Sequence, residues 1–243
     1  SHEPTKPVFP VIKIFFLTSI FASLLSIFFI LITYLVIKPS LPEIKYVNES
    51  ELQMPLKVYT KDRVLIGEFG EIKRRPTSFR DIPIDIRNAF LAAEDDNFFN
   101  HQGISYSGLI RSFIRCLQST GCQGGGGTIT MQVVRGYLLT PEQTIIRKIK
   151  EIFLALELEG TNNKEEIFEL YVNRIFLGNR SYGIEAASNT YFNKSLSEIN
   201  LNESATIAAI AQLPSRVNPV KNPRRTLQRR NWILSRMFLL NYI

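Results

Sequence analysis

A long apolar run near the N-terminus constrains this chain more than any other feature. Between Val11 and Ile37 only Lys13 is charged, and it lies near the start of the run. A helix of this length spans the roughly 30 Å core of a bilayer. A cleaved signal peptide has a shorter apolar stretch, and a core helix of a soluble domain carries a polar stripe. The run therefore predicts one transmembrane helix, whose orientation stays open because lysines flank both ends in nearly equal number.

Local patterns divide the rest of the chain into a connecting segment and a helical domain. We predict a tail over 1–10, the transmembrane helix over 11–37, a linker with a β-hairpin over 38–80, and a helical domain over 81–243. The hairpin is predicted from the segments LKVYT and RVLIGEF, which flank the dipeptide KD. From Asp81 onward, apolar residues recur at helical spacing. The predicted fold class is mainly α, with a small β-hairpin pedestal.

The balance of charge points to an anionic partner. Lys and Arg total 29 against 22 Asp and Glu, which gives a formal net charge of +7. A basic chain suits nucleic acid, anionic lipid headgroups or a phosphate-bearing substrate. The sequence has no zinc-finger spacing, no aromatic RNA-binding strand and no basic region followed by heptads. We therefore expect no nucleic-acid partner.

The first candidate site is the stretch AFLAAEDDNFFNHQG, from Ala89 to Gly103, where three acids follow an apolar run. If the helix continues through it, Glu94, Phe98 and His101 share one face, and the two aspartates point elsewhere. An acid beside aromatic surface is partly desolvated, which raises its pKa and makes it a usable general base. The alternative is a helix that simply ends in solvated acids.

The second candidate lies in the segment TPEQTIIRKIKEIFLALELEG, for which we predict a helix capped by Thr140. Glu151 follows Arg147 by four residues and Lys148 by three, so both cations are its neighbours on a helix. A carboxylate flanked in this way stays ionised. The alternative is an ordinary surface salt bridge.

The third candidate is the glycine run GGGGTIT, from Gly124 to Thr130. Backbone amides at the start of a helix bind anions, and the hydroxyls of Thr128 and Thr130 add donors. A flexible linker is the alternative. Nearby, Cys116 and Cys122 allow a small disulfide loop outside the cytoplasm, two free thiols, or a zinc site with His101; the zinc site is disfavoured by its ligand spacing.

Taken together and in order, these strings resemble the peptidoglycan glycosyltransferases of family 51. The strings are EDxxFxxHxG, GGxTITxQ, RKxxE, EIFELYVNRIFLG and LPSRVNP. The resemblance covers roughly Gln53 to the end, and is closest to the N-terminal half of a class A penicillin-binding protein; a monofunctional transglycosylase is the alternative. The chain contains no Ser-x-x-Lys, so it carries no penicillin-reactive nucleophile.

The resemblance implies a lysozyme-like helical domain that polymerises lipid II with inversion, from α to a β-1,4 linkage, and releases polyprenyl diphosphate. Glu94 matches the general base, and Glu151 matches a second glutamate that orients the donor or holds a divalent ion such as Mg or Mn. No other cofactor is implied. The expected partners are lipid II, the growing glycan strand, membrane lipids and other cell-wall synthesis proteins. The expected location is the bacterial cytoplasmic (inner) membrane, single-pass, with the catalytic domain on the periplasmic side.

The resemblance also implies a set of residues that contact the substrate. They are Asp95, Phe98, His101, Thr128, Thr130, Gln132, Arg135, Arg147, Lys148 and Lys150. The fourth motif, with Glu169, Tyr171 and Asn173, is interpreted as largely structural.

Several positions depart from the family pattern, and most departures remove a polar or charged group. They are Gly127 for Ser, Met131 for Gln, Gly136 for Asn, Gln143 for Arg, and Ala211 with Gln212 for Pro-Lys. Because charged hydrogen bonds are worth about 1.5–3 kcal/mol each, weakened turnover is one expectation. An inactive membrane-anchored scaffold is the main alternative function. A lysozyme-like hydrolase is a third, disfavoured by the anchor and the cations.

Overall fold

The chain folds into two compact units, one ending at Pro42 and the other beginning at Glu43. The computed structural model describes residues 9–45, 47, 56–63, 65–69, 73–118, 127–140, 142 and 144–243. The predicted fold class is confirmed, because helices dominate the described residues and the strands are few and short.

The first unit is the predicted apolar helix, α1, which runs from Phe9 to Ile37. At 1.5 Å per residue its length is about 43 Å, so by length and composition it is able to cross a membrane. Hydroxyl groups along it donate to carbonyls of the preceding turn, as in the bonds from Thr18 to Phe15 and from Thr33 to Phe29. These bonds leave fewer polar groups in need of water, as a bilayer requires.

The hairpin prediction is also confirmed. Strand β1 (Leu56–Tyr59) pairs antiparallel with β2 (Leu65–Phe69). A second small sheet joins β3 (Lys73–Arg74) in parallel with β4 (Ser181–Tyr182), far along the chain. This pairing attaches the segment before Asp81 to the helical domain. The side chain of Asn173 adds to it, since it hydrogen-bonds both the amide and the carbonyl of Thr77. The segment before Asp81 thus contacts the helical domain directly, and the domain boundary at residue 81 stays a prediction.

Helices supply most of the second unit. In chain order they are α2 (Ile84–Glu94), α3 (Tyr106–Gln118), α4 (Ile129–Leu138), α5 (Ile145–Thr161), α6 (Lys164–Arg174), α7 (Ile184–Phe192), α8 (Leu201–Gln212) and α9 (Pro223–Leu239). Short 3-10 turns occur at Phe79–Asp81 and Leu196–Glu198.

Two groups of helices position the candidate residues. Helix α2 packs against α8 and α9, and α4 packs against α5 and α6. Every residue of α8 from Ser204 to Ile210 is buried, as expected for a central helix that is apolar on all sides. The aromatic side chains of Phe90, Phe98 and Phe168 are fully buried between these groups. The C-terminal end of α2 and the facing parts of α4 and α5 are therefore fixed by the core.

Helix α5 begins later than predicted. Thr144, rather than Thr140, is its cap, and the Thr144 hydroxyl accepts a hydrogen bond from the amide of Arg147. A threonine just before the first apolar pair, Ile145 and Ile146, satisfies the free amide groups of the first turn. The helix therefore starts where its apolar face starts, and Pro141 lies outside the described residues.

Candidate active site

Helix α2 ends at Glu94, so the prediction of one helical face through Glu94, Phe98 and His101 is wrong. Asp95 leaves the helical region, with φ −161° and ψ 80°. The reason lies in the contacts of its carboxylate. Both Asp95 oxygens lie 3.0 Å from His101 Nε2, and one of them accepts the amide of Ile129 at 3.1 Å.

Asp95 and His101 connect the first motif to the start of α4. Their side chains are only 5% and 7% exposed. A carboxylate at a helix N-terminus satisfies a free amide and is favoured by the helix dipole. The contacts that the structure describes hold two segments of the protein together, and the contact of both residues with substrate stays a prediction.

Phe98, Thr128 and Thr130 also face the interior rather than a ligand. The Phe98 ring is fully buried, with Lys164 Nζ 4.5 Å from its centroid. Thr128 caps α4 and donates to the carbonyl of Gly103 at 2.6 Å. Thr130 donates to Glu159 at 2.6 Å. All three side chains are buried and their described contacts are internal, so their direct contact with substrate stays a prediction.

Glu94 has the environment expected of a general base. It is partly accessible at the end of α2, and one of its oxygens accepts a hydrogen bond from Gln132 Nε2 at 3.0 Å. Burial raises the pKa of Glu94 from its ordinary value; the Gln132 bond and the charges of Arg229 and Arg135 oppose the shift. A carboxylate with a raised pKa binds a proton more readily while remaining accessible.

Tyr171 of α6 lies close to this acid. Its ring packs edge-on against Phe90, with 5.8 Å between centroids, and its hydroxyl is buried without a hydrogen-bond partner in the described part of the chain. Burial, and then the charge of Glu94, raise the pKa of Tyr171 well above its ordinary value. The hydroxyl therefore stays protonated, and the negative charge of Glu94 acts on it. Glu169 and Asn173 of the same motif bond the backbone of Phe79 and Thr77, which agrees with a structural role.

Glu151 is fully buried, which rules out an ordinary surface salt bridge. One carboxylate oxygen accepts from Arg147 Nη1, and the other lies 3.0 Å from Lys148 Nζ. The side chains of Arg147 and Lys148 are 17% and 39% exposed. A buried carboxylate is tolerated only with such partners, and here it fixes two cations so that they still reach solvent.

Arg135 acts electrostatically on Glu94 and on Lys148, the cation that contacts Glu151. This exposed side chain of α4 lowers the pKa of Glu94 and also acts on Lys148. Burial and the charges of Arg135 and Arg147 lower the pKa of Lys148 to about 8. We call Arg135, Arg147 and Lys148 the cation cluster. Three cations thus lie beside a single carboxylate, Glu151, so an anion would be bound favourably there.

The sequence also matches a known protein family. The family model described as Transglycosylase matches residues 62–238. The chain belongs to the transglycosylase family. It is 51% identical over 210 residues to penicillin-binding protein 1A of Pseudomonas aeruginosa, covering 86% of this chain and 26% of the relative. For the Haemophilus influenzae protein of the same name the identity is 48% over 195 residues, with 80% and 23% covered.

A third relative and a solved structure complete the comparison. Penicillin-binding protein 1A of Escherichia coli is 40% identical over 232 residues, covering 96% of this chain and 27% of the relative. The crystal structure of the Haemophilus influenzae protein matches with 33% identity and a TM-score of 0.43, covering 79% of this chain and 19% of that one. The chain thus spans about a quarter of the length of the curated relatives it matches.

The departures from the transglycosylase pattern differ in their effect on the site. Met131 is buried, so it removes no donor from the accessible surface. A Cβ at Gly127 would lie 3.6 Å from Lys148 Nζ, so the absent side chain there does border the cation cluster. The Gly136 carbonyl accepts from Arg174 Nε at 2.8 Å. Ala211 and Gln212 are the last two residues of α8.

Other expectations lie beyond the described residues. Gln143, Cys122 and the glycines 124–126 lie outside them, so the disulfide, the zinc site and most of the glycine-run anion site stay predictions. Lys150 is half-buried on α5, and its contact with substrate also stays a prediction.

A divalent ion does not fit at Glu151. Both of its carboxylate oxygens already face cations. Among the described residues, no group of three or more His, Cys, Asp or Glu side chains is arranged to hold a metal. The buried charge of Glu151 is neutralised by Arg147 and Lys148 instead.

The sequence analysis missed two arginines of α9. Arg236 Nε donates to the carbonyl of Ala92 at 2.7 Å, and Arg236 Nη2 lies 2.5 Å from Asp96. Arg229 Nη2 approaches the carbonyl of Ala93 at 3.5 Å across 136 residues of sequence. The basic side of this helix is visible in the sequence, but no spacing rule joins it to Glu94.

Proposed function

We propose that this chain polymerises lipid II into peptidoglycan glycan strands by inverting glycosyl transfer. The proposal is carried by one observation: a partly accessible, desolvated carboxylate, Glu94, shares the neighbouring Arg135 with the cation cluster. A base and an anion site side by side are what transfer from a diphosphate-linked sugar needs. Membership of the transglycosylase family supports the same reaction class.

In the proposed reaction, Glu94 takes the proton from the 4-hydroxyl of the acceptor sugar. The oxygen attacks the anomeric carbon of the donor and forms the new glycosidic bond. The bond between that carbon and the diphosphate oxygen breaks, and the diphosphate leaves with the electron pair. Attack from the face opposite the leaving group converts the α linkage into a β-1,4 linkage, as in other inverting transfers.

The cation cluster is proposed to receive the diphosphate. Arg135 and Arg147 offer planar guanidinium groups for phosphate oxygens, and Lys148 offers a compact charge. Glu151 is a positioning residue in this proposal, because it contacts Arg147 and Lys148 from a buried position. The proposed reaction uses no cofactor.

The location and partners follow from the substrate. Lipid II has a polyprenyl tail, and α1 is long and apolar enough to hold the chain in the same bilayer. We propose that the chain is a single-pass protein of the bacterial inner membrane, with its helical domain on the outer side. Membrane lipids, the growing strand and other cell-wall synthesis proteins are the proposed partners.

The test uses the full chain in detergent with lipid II, with glycan strands separated by gel electrophoresis. We expect strands from the wild type and none from Glu94→Gln. The matched control is Glu157→Gln, which removes an exposed carboxylate of α5 and should leave strand synthesis unchanged. Strand synthesis by Glu94→Gln would refute the assignment of the base. Binding of lipid II by the wild type without any product would instead favour the scaffold, and fragments released from finished wall would favour the hydrolase.

A further inference from the structure

The last turn of α2, which carries Glu94, is contacted by two arginines of α9. The carbonyls of a final helical turn lack partners within the helix. Arg236 Nε donates to the Ala92 carbonyl at 2.7 Å, and Arg229 Nη2 approaches the Ala93 carbonyl at 3.5 Å. Two guanidinium groups of α9 therefore cover the residues immediately before the acid, where the helix dipole also favours positive charge.

Arg229 differs from Arg236 in its charge partner. Arg236 lies 2.5 Å from Asp96, an exposed carboxylate. Arg229 is half-buried, its guanidinium stacks 4.0 Å from the centroid of the Trp232 ring, and its Nε is buried without a partner among the described residues. A partly desolvated guanidinium with one long backbone contact requires a nearby anion. Its backbone contact is with Ala93, the residue before Glu94, and the charge of Glu94 opposes the lowering of the Arg229 pKa by burial.

We propose that Arg229 is a positioning residue of the transfer reaction, which keeps the Glu94 carboxylate charged and holds the last turn of α2 in place. This inference rests on the proposed function, because it assigns a role relative to the proposed base. The stack on Trp232 orients the guanidinium in advance, so the contact costs little conformational entropy.

None of the other groups described around Glu94 is proposed to keep its carboxylate charged in this way. Gln132 and Arg135 approach from α4, Tyr171 from α6, and Asp95 is adjacent in sequence. The buried residues of α8 include no charged side chain. Arg135 belongs to the cation cluster, so its charge is shared with a bound diphosphate. Arg229 lies outside the cation cluster and contacts the carbonyl of Ala93, next to the acid.

The test compares pH–rate profiles of strand synthesis from lipid II by the full chain. In Arg229→Gln, we expect the acid limb to move to higher pH by about one unit, because a nearby cation lowers a carboxyl pKa by 1–3 units. The rate on the acid side should fall about tenfold and approach that of the wild type at alkaline pH, with KM for lipid II unchanged. Arg229→Lys keeps the positive charge and should return the acid limb most of the way to its wild-type position.

The control is Arg225→Gln, which removes an exposed positive charge from the same helix and should leave the acid limb in place. An acid limb that stays in place in folded Arg229→Gln, or an equal loss of rate at every pH, overturns the inference. If Arg229→Gln does not fold, Trp232→Leu takes its place: it removes the surface on which the guanidinium stacks, and it should move the acid limb in the same direction by less. An unmoved limb in Trp232→Leu then overturns the inference.

These results are distinguishable from failure of the proposed function. Strand synthesis by Glu94→Gln removes Glu94 as the base, whatever the Arg229 variants do. Inactive Glu94→Gln together with an unmoved limb in Arg229→Gln leaves the proposed function standing and removes only the role of Arg229.

Discussion

Replacement of Glu151 by glutamine tests whether the buried carboxylate holds the cation cluster. The substitution keeps the shape of the side chain and removes its charge. In the wild type, that charge is fully buried and is contacted by two cations. Removing one partner of a buried ion pair costs about 3–5 kcal/mol when the other charge stays buried. Arg147 and Lys148 are 17% and 39% exposed, so solvent recovers part of this cost. We expect a loss of roughly 2–3 kcal/mol in the free energy of unfolding.

The assay is thermal unfolding of the full chain in detergent, followed by circular dichroism. For a chain of this size, the expected loss lowers the midpoint by roughly 5–10 °C. Glu157→Gln is the matched control on the same helix; it is exposed and should change the stability by about 0.5 kcal/mol or less. Because the variant has one more unneutralised cation, inorganic pyrophosphate should raise its midpoint more than that of the wild type.

The catalytic consequence of Glu151→Gln separates positioning from bulk stability. With the two cations no longer fixed, strand synthesis should fall by about 100-fold or more even well below the unfolding midpoint. An unchanged midpoint together with unchanged strand synthesis would show that Glu151 does not organise the cluster. A stabilised variant would show that the carboxylate is a net cost to the fold.

Three further predictions test other parts of the site. The pKa of Lys148 is lowered to about 8, so strand synthesis should decline above that pH as the ammonium loses its proton. Lys148→Arg should move this alkaline limb of the pH–rate profile to higher pH, because arginine stays charged. A limb that does not move would exclude Lys148 as its cause. Tyr171→Phe removes a buried hydroxyl without a described partner, so unfolding in denaturant should show stability unchanged or raised by up to about 1 kcal/mol, and a loss above 1 kcal/mol would reveal a hidden hydrogen bond. Gly103→Ala should lower stability by about 2 kcal/mol or more, because φ is +78° and the added Cβ would lie 2.8 Å from the Ala155 carbonyl; normal stability would mean that this backbone shifts freely.

Features that depend on neighbours along one helix were predictable from the sequence. The apolar run predicts α1, and the spacing of Arg147, Lys148 and Glu151 predicts their contacts, because residues three and four apart are adjacent on any helix. These inferences need no knowledge of how the helices pack.

Only the tertiary structure decided which side chains are free to act. It buries Phe98, ends α2 at Glu94 through the bonds of Asp95 to His101 and Ile129, and leaves the Tyr171 hydroxyl without a described partner. It also brings Arg229 to Ala93 across 136 residues. The physical reason is that helix periodicity fixes contacts within one turn, whereas contacts between distant segments depend on which apolar faces pack together. The sequence by itself thus determined the long apolar helix, the hairpin and the ion pair of α5. Packing of α9 against α2 determined the surroundings of the acid.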